Sequence, residues 1–216
     1  MQFHHLIKHT GMGLTLLVGL TIATPSAANN QAERQVLLER LNQLTTFEAD
    51  FAQQVTDAQG DVVQQLHGHL ALARPNLLHW QTDAPDEMLM IADGQNLWYY
   101  NPFVEQVTIY QQDNAVAQSP LLLLLDGANE AWAHYQVKVE GNSFALQPLP
   151  SAPSAQSLQL VFAENGSAAE LTRILLDDGQ GQLSTITLEN VTLNQPLDPQ
   201  LFTFKVPEGV DVDDQR

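Results

Sequence analysis

Residues 74–107, RPNLLHWQTDAPDEMLMIADGQNLWYYNPFVEQV, decide the fold. Turn signals cut the stretch at Arg74-Pro75-Asn76, Ala84-Pro85-Asp86, Asp93-Gly94 and Asn101-Pro102. The apolar runs between these breaks are about five residues long, which suits strands and is too short for helices. The stretch therefore reads as a β-meander, with strands expected at 76–81, 87–92, 96–100 and 105–111. Trp80, Met88, Met90, Trp98, Tyr99 and Tyr100 give it a supply of aromatic and sulfur side chains.

Upstream, the same period of two continues. Phe47, Ala49, Phe51 and Val55 share one face of a strand, with Glu48, Asp50 and Gln54 on the other. A turn at 57–61 leads into a longer strand over 62–73, where Leu66, Gly68, Leu70 and Leu72 face one side and Gln65, His67, His69 and Ala71 the other. Before this hairpin, Val36, Leu37, Leu41 and Leu44 recur at helical spacing and predict one helix over 31–46.

Downstream, Ser119-Pro120 followed by five consecutive leucines, 121–125, predicts a short helix that must meet apolar surface all round. Residues 115–119 are weakly helical, and a second short helix is expected at 129–134. Strands resume at 135–140, 143–149, 158–164, 170–177 and 183–191, with a hairpin turn signalled by Asn165-Gly166. A single helical turn at 198–202, a last strand at 202–206 and an acidic tail close the chain. Consecutive hairpins make this a mainly β protein, a large curved antiparallel sheet or an open barrel of ten or eleven strands with helices across one mouth.

Composition narrows the function. The chain has 216 residues, no cysteine, and 25 acidic against 8 basic side chains, a formal charge of −17. Such a surface repels nucleic-acid phosphates and favours basic partner surfaces. The missing cysteines exclude disulfides, thiolate metal sites, a cysteine nucleophile and a lipidated cysteine. Lys8 followed by the apolar run 11–23, Pro25 and Ser26-Ala27-Ala28 reads as a signal peptide, residues 1–28, with cleavage after Ala28. The exported mature chain, 29–216, would be one domain with no second membrane segment.

Catalytic patterns are missing: no Gly-x-Ser-x-Gly elbow, no phosphate-binding glycine loop, no His-Glu-x-x-His helix. His67, His69 and His79 have a spacing open to a metal, but no carboxylate is placed by spacing to complete a site, and solvated face histidines are the better reading. No metal and no cofactor are expected. What stands out is the surplus of large apolar groups: Phe47, Phe51, Trp80, Met88, Met90, Trp98, Tyr100, Phe103, Phe162 and the leucine run. A closed eight-stranded barrel fills itself, whereas one of ten or more strands leaves room for a ligand; an ordinary core capped by helices is the competing reading. Arg74, one of five arginines, stands at the end of an apolar strand, where its forked donors suit a latch on carbonyls or an ordinary solvated turn.

Taken in order, Phe47-Glu-Ala-Asp-Phe-Ala-Gln53, Arg74-Pro75-Asn76-Leu77-Leu78-His79-Trp80, Ala92-Asp93-Gly94 with Leu97-Trp98, Asn101-Pro102, Gln106-Val107, Phe202-Thr-Phe and Pro207-Glu-Gly-Val-Asp-Val resemble the LolA family of periplasmic outer-membrane lipoprotein carriers. The resemblance runs over about residues 29 to 216. It implies an incomplete β-barrel of eleven antiparallel strands with a helical lid. It further implies an apolar interior that takes lipoprotein acyl chains from the inner-membrane LolCDE transporter and hands them to the receptor LolB. Arg74 resembles the family arginine that holds the lid closed. Phe47, Phe51, Leu78, Trp80, Met88, Met90, Trp98, Leu121, Leu122 and Leu125 are then the expected cavity and lid residues. Leu78 and Leu121 stand where the family commonly has phenylalanine, which keeps the site apolar but removes rings. LolB shares the fold but is itself a lipoprotein, which a chain without cysteine is not. A carrier of free lipid or another hydrophobic ligand is the alternative, and an enzyme the more distant one. The mature chain is expected to be a periplasmic monomer.

Overall fold

The computed structural model describes residues 25–117, 119–164 and 169–216. The signal-peptide expectation falls largely outside them, as does the Asn165-Gly166 turn. One sheet organises the molecule. Its strands are β1 (Thr46–Thr56), β2 (Val62–Ala73), β3 (Leu77–Thr82), β4 (Met88–Asp93), β5 (Asn96–Asn101) and β6 (Gln106–Gln111) in the first half. The second half supplies β7 (Tyr135–Glu140), β8 (Ser143–Pro148), β9 (Ser157–Phe162), β10 (Leu171–Asp177), β11 (Leu183–Leu193) and β12 (Asp211–Asp214). The spatial order is β12-β6-β5-β4-β3-β2-β1-β11-β10-β9-β8-β7. All neighbours among β1–β11 run antiparallel, joined mostly by hairpins. The two ends of this order are unpaired with each other, so the barrel stays open.

Register places the apolar positions on the inner face. Across the meander, one row reads Phe47, Leu72, Leu78, Ala92, Leu97, Tyr110; the next reads Ala49, Leu70, Trp80, Met90, Tyr99. Phe51 pairs with Gly68, and its ring occupies the space where a β-carbon on that glycine would stand.

Helix α1 (Pro25–Leu41) lies inside, with Leu37 and Leu41 buried and Leu38 packed at the edge of the core. It ends earlier than the expected residue 46. Thr46 Oγ1 donates to the Gln195 carbonyl at 2.7 Å and the Thr45 amide donates to Asn194 Oδ1 at 2.8 Å, so β11 draws this segment into the sheet. Val36, expected in the apolar stripe, is 46% exposed; the buried face is carried by Leu37, Leu41 and, beyond the helix, Leu44. Arg40, in the last turn, lies 5.3 and 5.2 Å from the ring centroids of Phe144 and Phe162. A cation there interacts with both the aromatic faces and the negative end of the helix.

The C-terminus differs from its expected form. Residues 202–206 do not form a strand. Pro199–Phe202 is a 3-10 turn whose cap, Asp198, accepts from the Gln200 amide at 2.9 Å. The following segment crosses the outer face of the meander: His79 Nδ1 donates to the Leu201 carbonyl at 2.7 Å, and Phe204 stacks on Trp98 and Tyr100 at 5.4 and 5.7 Å. A side-chain hydrogen bond and ring contacts, not a ladder, hold it. The acidic tail then forms β12, parallel to β6, with the Asp211 amide donating to Glu105 and the Gln215 amide to Ile109.

Candidate functional site: an apolar interior under a latched lid

Three 3-10 segments, Gln112–Ala117, Pro120–Leu124 and Glu130–His134, form the lid. Proline at the first helical position of the middle segment fits a start where an amide would lack a partner. A 3-10 helix turns every three residues, so five consecutive leucines point to every side. All five, Leu121 to Leu125, are 6% exposed or less and belong to the main apolar cluster. The lid is thus a plug driven into the concave face.

Arg74, just after β2, is hydrogen-bonded to the plug. Its amide donates to Thr45 at 2.9 Å, and its side-chain Nε donates to the carbonyl of Leu125 at 2.8 Å. Burial pushes the guanidinium pKa down, and the nearby Asp126 carboxylate opposes that shift. Asp126 is itself held by the lid: its carbonyl accepts from the Trp132 indole at 2.9 Å and its carboxylate from the Ala128 amide at 2.8 Å. Outside the latch a hollow of about 530 Å3 lies among Leu38, Asn42, Thr45, Arg74 and Asp126–Ala128. It lies outside the plug and is partly polar, so it is a poor container for hydrocarbon.

The interior space is smaller, about 360 Å3, and is lined by Trp80, Met88, Met90, Leu97, Tyr99, Tyr110, Leu121, Leu176 and Ile186, with Gln53 and Ser119. This is near the small end of ligand sites, and of the five lid leucines Leu121 borders it. Methionines and leucines make the wall deformable. Phe51 lies 4.2 Å from Trp80, centroid to centroid, behind that wall.

Of the expected residues, Trp80, Met88, Met90 and Leu121 line the space. Phe47, Phe51, Leu78, Leu122 and Leu125 lie in the same buried apolar cluster but do not border that space. Trp98 is a correction. It alternates with Leu97 and Tyr99, so it points to the outer face, where its indole donates to Asp93 Oδ2 at 2.7 Å and Phe204 covers it. Tyr110, Leu176 and Ile186 were not expected; each sits at an inward position that pairing to its neighbour strand reveals but composition does not.

The histidines do not converge. His69 lies between Glu48 and Asp50 at 3.1 and 3.2 Å, His79 holds the C-terminal segment, and His67 borders a shallow polar groove with Gln54 and Thr185. Among the described residues no group of three or more His, Cys, Asp or Glu side chains is arranged to hold a metal ion. No described helix is long and apolar enough to cross a membrane.

The geometry is that of an open sheet whose concave face is filled by a buried leucine segment, with a small apolar space beside it. The family described as outer membrane lipoprotein carrier protein LolA matches residues 42–205. The outer-membrane lipoprotein carrier protein of Idiomarina loihiensis is 41% identical over 189 residues, covering 88% of this chain and 91% of the relative. That of Vibrio parahaemolyticus is 40% identical over 197 residues, covering 91% and 93%. Among solved structures, a putative outer membrane lipoprotein-sorting protein domain from Vibrio parahaemolyticus shares the fold at TM-score 0.51 and 12% identity, covering 81% of this chain and 97% of that one. The chain belongs to the LolA family of outer-membrane lipoprotein carriers.

Proposed function

We propose that the protein is a periplasmic chaperone for lipoproteins. It accepts them from the inner-membrane transporter LolCDE, shields their acyl chains inside the open barrel and delivers them to the outer-membrane receptor LolB. Residues 1–28 act as the cleaved signal peptide, and the mature chain works as a monomer without catalysis. The relatives' names support the cargo class. The observation that carries the mechanism is the plug of five buried leucines fastened through Arg74.

The energetics favour reversible holding. One acyl chain of roughly a dozen methylenes gains about 10 kcal/mol on burial. Each displaced lid leucine loses about 1.5–3 kcal/mol of burial, so five displaced leucines give back a sum of similar size. Net affinity is then a difference between two large terms, and breaking the Arg74 bond lowers it further. Cargo is held strongly enough to stay in solution and weakly enough to be passed on.

The test uses inner-membrane vesicles loaded with lipoprotein and containing LolCDE. Incubation with the mature protein and ATP should yield a soluble complex of carrier and acylated protein. A supernatant with no lipoprotein, or with phospholipid as the only bound species by mass, would overturn the reading.

A further inference from the structure

Tyr135 opens β7 and is 2% exposed, and its hydroxyl is the one buried side-chain polar atom among the described residues with no hydrogen-bond partner. Other polar groups in the interior and along the meander find acceptors. The Trp132 indole donates to Asp126, the Thr82 hydroxyl to the Asp86 carbonyl, and the Gln112 amide to the Asn76 carbonyl. Leaving a hydroxyl buried and unpaired is costly, and phenylalanine would fill nearly the same space without that cost. Packing in the lid-closed state therefore does not account for the oxygen.

Its position suggests a partner. Tyr135 belongs to the same apolar cluster as Leu121–Leu125 and Trp132, directly follows the last lid segment, and begins the strand at one free edge of the sheet. That is where the lid joins the wall and where the barrel is open. An acyl chain is apolar along its length but ends in an ester or amide carbonyl, an acceptor with no hydroxyl donor of its own. Burial raises the phenol pKa, so the group stays protonated and able to donate at neutral pH.

We propose that Tyr135 is a ligand-binding residue, whose hydroxyl donates to the carbonyl at the head of an acyl chain taken into the interior; this rests on the acyl-carrier function above. The residue distinguishes an acyl group from a plain hydrocarbon and sets the chain's direction, carbonyl toward the edge of β7 and methyl end toward Trp80 and Met90. A buried hydroxyl without an acceptor carries a desolvation cost that the carbonyl removes.

The experiment compares wild type with Tyr135→Phe, using methyl dodecanoate and tridecane to displace 1-anilinonaphthalene-8-sulfonate from the interior. The variant should bind the ester about three- to tenfold more weakly, the loss of one net hydrogen bond, with no change for the alkane. With carbonyl-labelled (13C) ester, the infrared carbonyl band should move to lower frequency on binding wild type and stay at its unbonded position in the variant. The empty variant should unfold at the same or a higher temperature. Equal effects on both probes, an unshifted band in wild type, or a lower unfolding temperature for the variant would overturn the role of Tyr135 while leaving the carrier function standing. If neither probe displaces the fluorophore from wild type, the carrier function itself falls, and the Tyr135 role with it.

Discussion

The ring of Phe51 lies across Gly68, where an added β-carbon would come 2.6 Å from the ring's Cζ and also meet the Gln81 carbonyl oxygen. The glycine is therefore required by close approach rather than by backbone angle. Gly68→Ala should push Phe51 against Trp80 and destabilise the fold by about 1–3 kcal/mol, the usual cost of overpacking. Urea denaturation measures this, and an unchanged midpoint would show that both the ring and the β3 backbone at Gln81 give way without cost.

Arg74→Leu removes the donor to the Leu125 carbonyl. A hydrogen bond to a charged group contributes about 1.5–3 kcal/mol, so the closed lid should open more often and apolar ligands should bind about tenfold or more tightly. Amide exchange at Leu125, whose N–H donates to Leu122, should accelerate. On the function proposed above, transfer of cargo to LolB should slow in proportion. Affinity equal to wild type would sever the bond from the binding equilibrium.

Trp80 and Trp98 lie on opposite faces of the sheet. In variants keeping one of the two and with Trp132→Phe, dodecanoyl ligands should shift or quench the emission of Trp80. Emission from Trp98, stacked on Phe204 outside, should stay constant. A response from Trp98 matching that of Trp80 would contradict the register.

Asp93 gives the turn between β4 and β5 a pH dependence. Burial raises its pKa, but the Trp98 indole, the Asn96 and Gln95 amides and the Asn96 side chain together outweigh that and hold the carboxyl below its ordinary 3.8. The folded state then binds this proton less readily than the unfolded one. The stabilisation is full well above 3.8 and is lost as pH falls through the lower folded value. Asp93→Asn should be less stable than wild type at neutral pH, with the gap narrowing below about pH 4. A gap independent of pH would refute the assignment.

Removing residues 208–216 strips β12 from β6 and uncovers the backbone edge of Gln106–Gln111. An uncovered edge is a template for another chain, so the truncated protein should self-associate at lower concentrations than the full chain. Light scattering after gel filtration reads this directly.

The sequence revealed local period well and distant contact poorly. Hairpin strands from Phe47 to Tyr110 followed from alternation, and the leucine plug followed from a proline start and five apolar residues that needed cover. Trp98 was misplaced because its chemistry resembles that of Trp80, while its partners, Phe204 and the C-terminal segment, lie about a hundred residues away. β12 carries no apolar alternation at all; its residues, Asp-Val-Asp-Asp, form a strand only because the edge of β6 offers unpaired groups. The Arg74 side chain could be suspected of holding a carbonyl, but which carbonyl was set by a lid 51 residues further on.

The ends of the sheet at β12 and β7 are joined by no ladder. A closed ring of strands has its bore set by strand number and stagger, whereas a sheet with two free margins has no fixed circumference. On the proposed function, in which the plug withdraws, the wall can flare like an unfastened cuff without losing a single backbone pairing. Capacity then becomes an elastic property of sheet curvature, and cargoes of different girth are met by bending rather than by different residues.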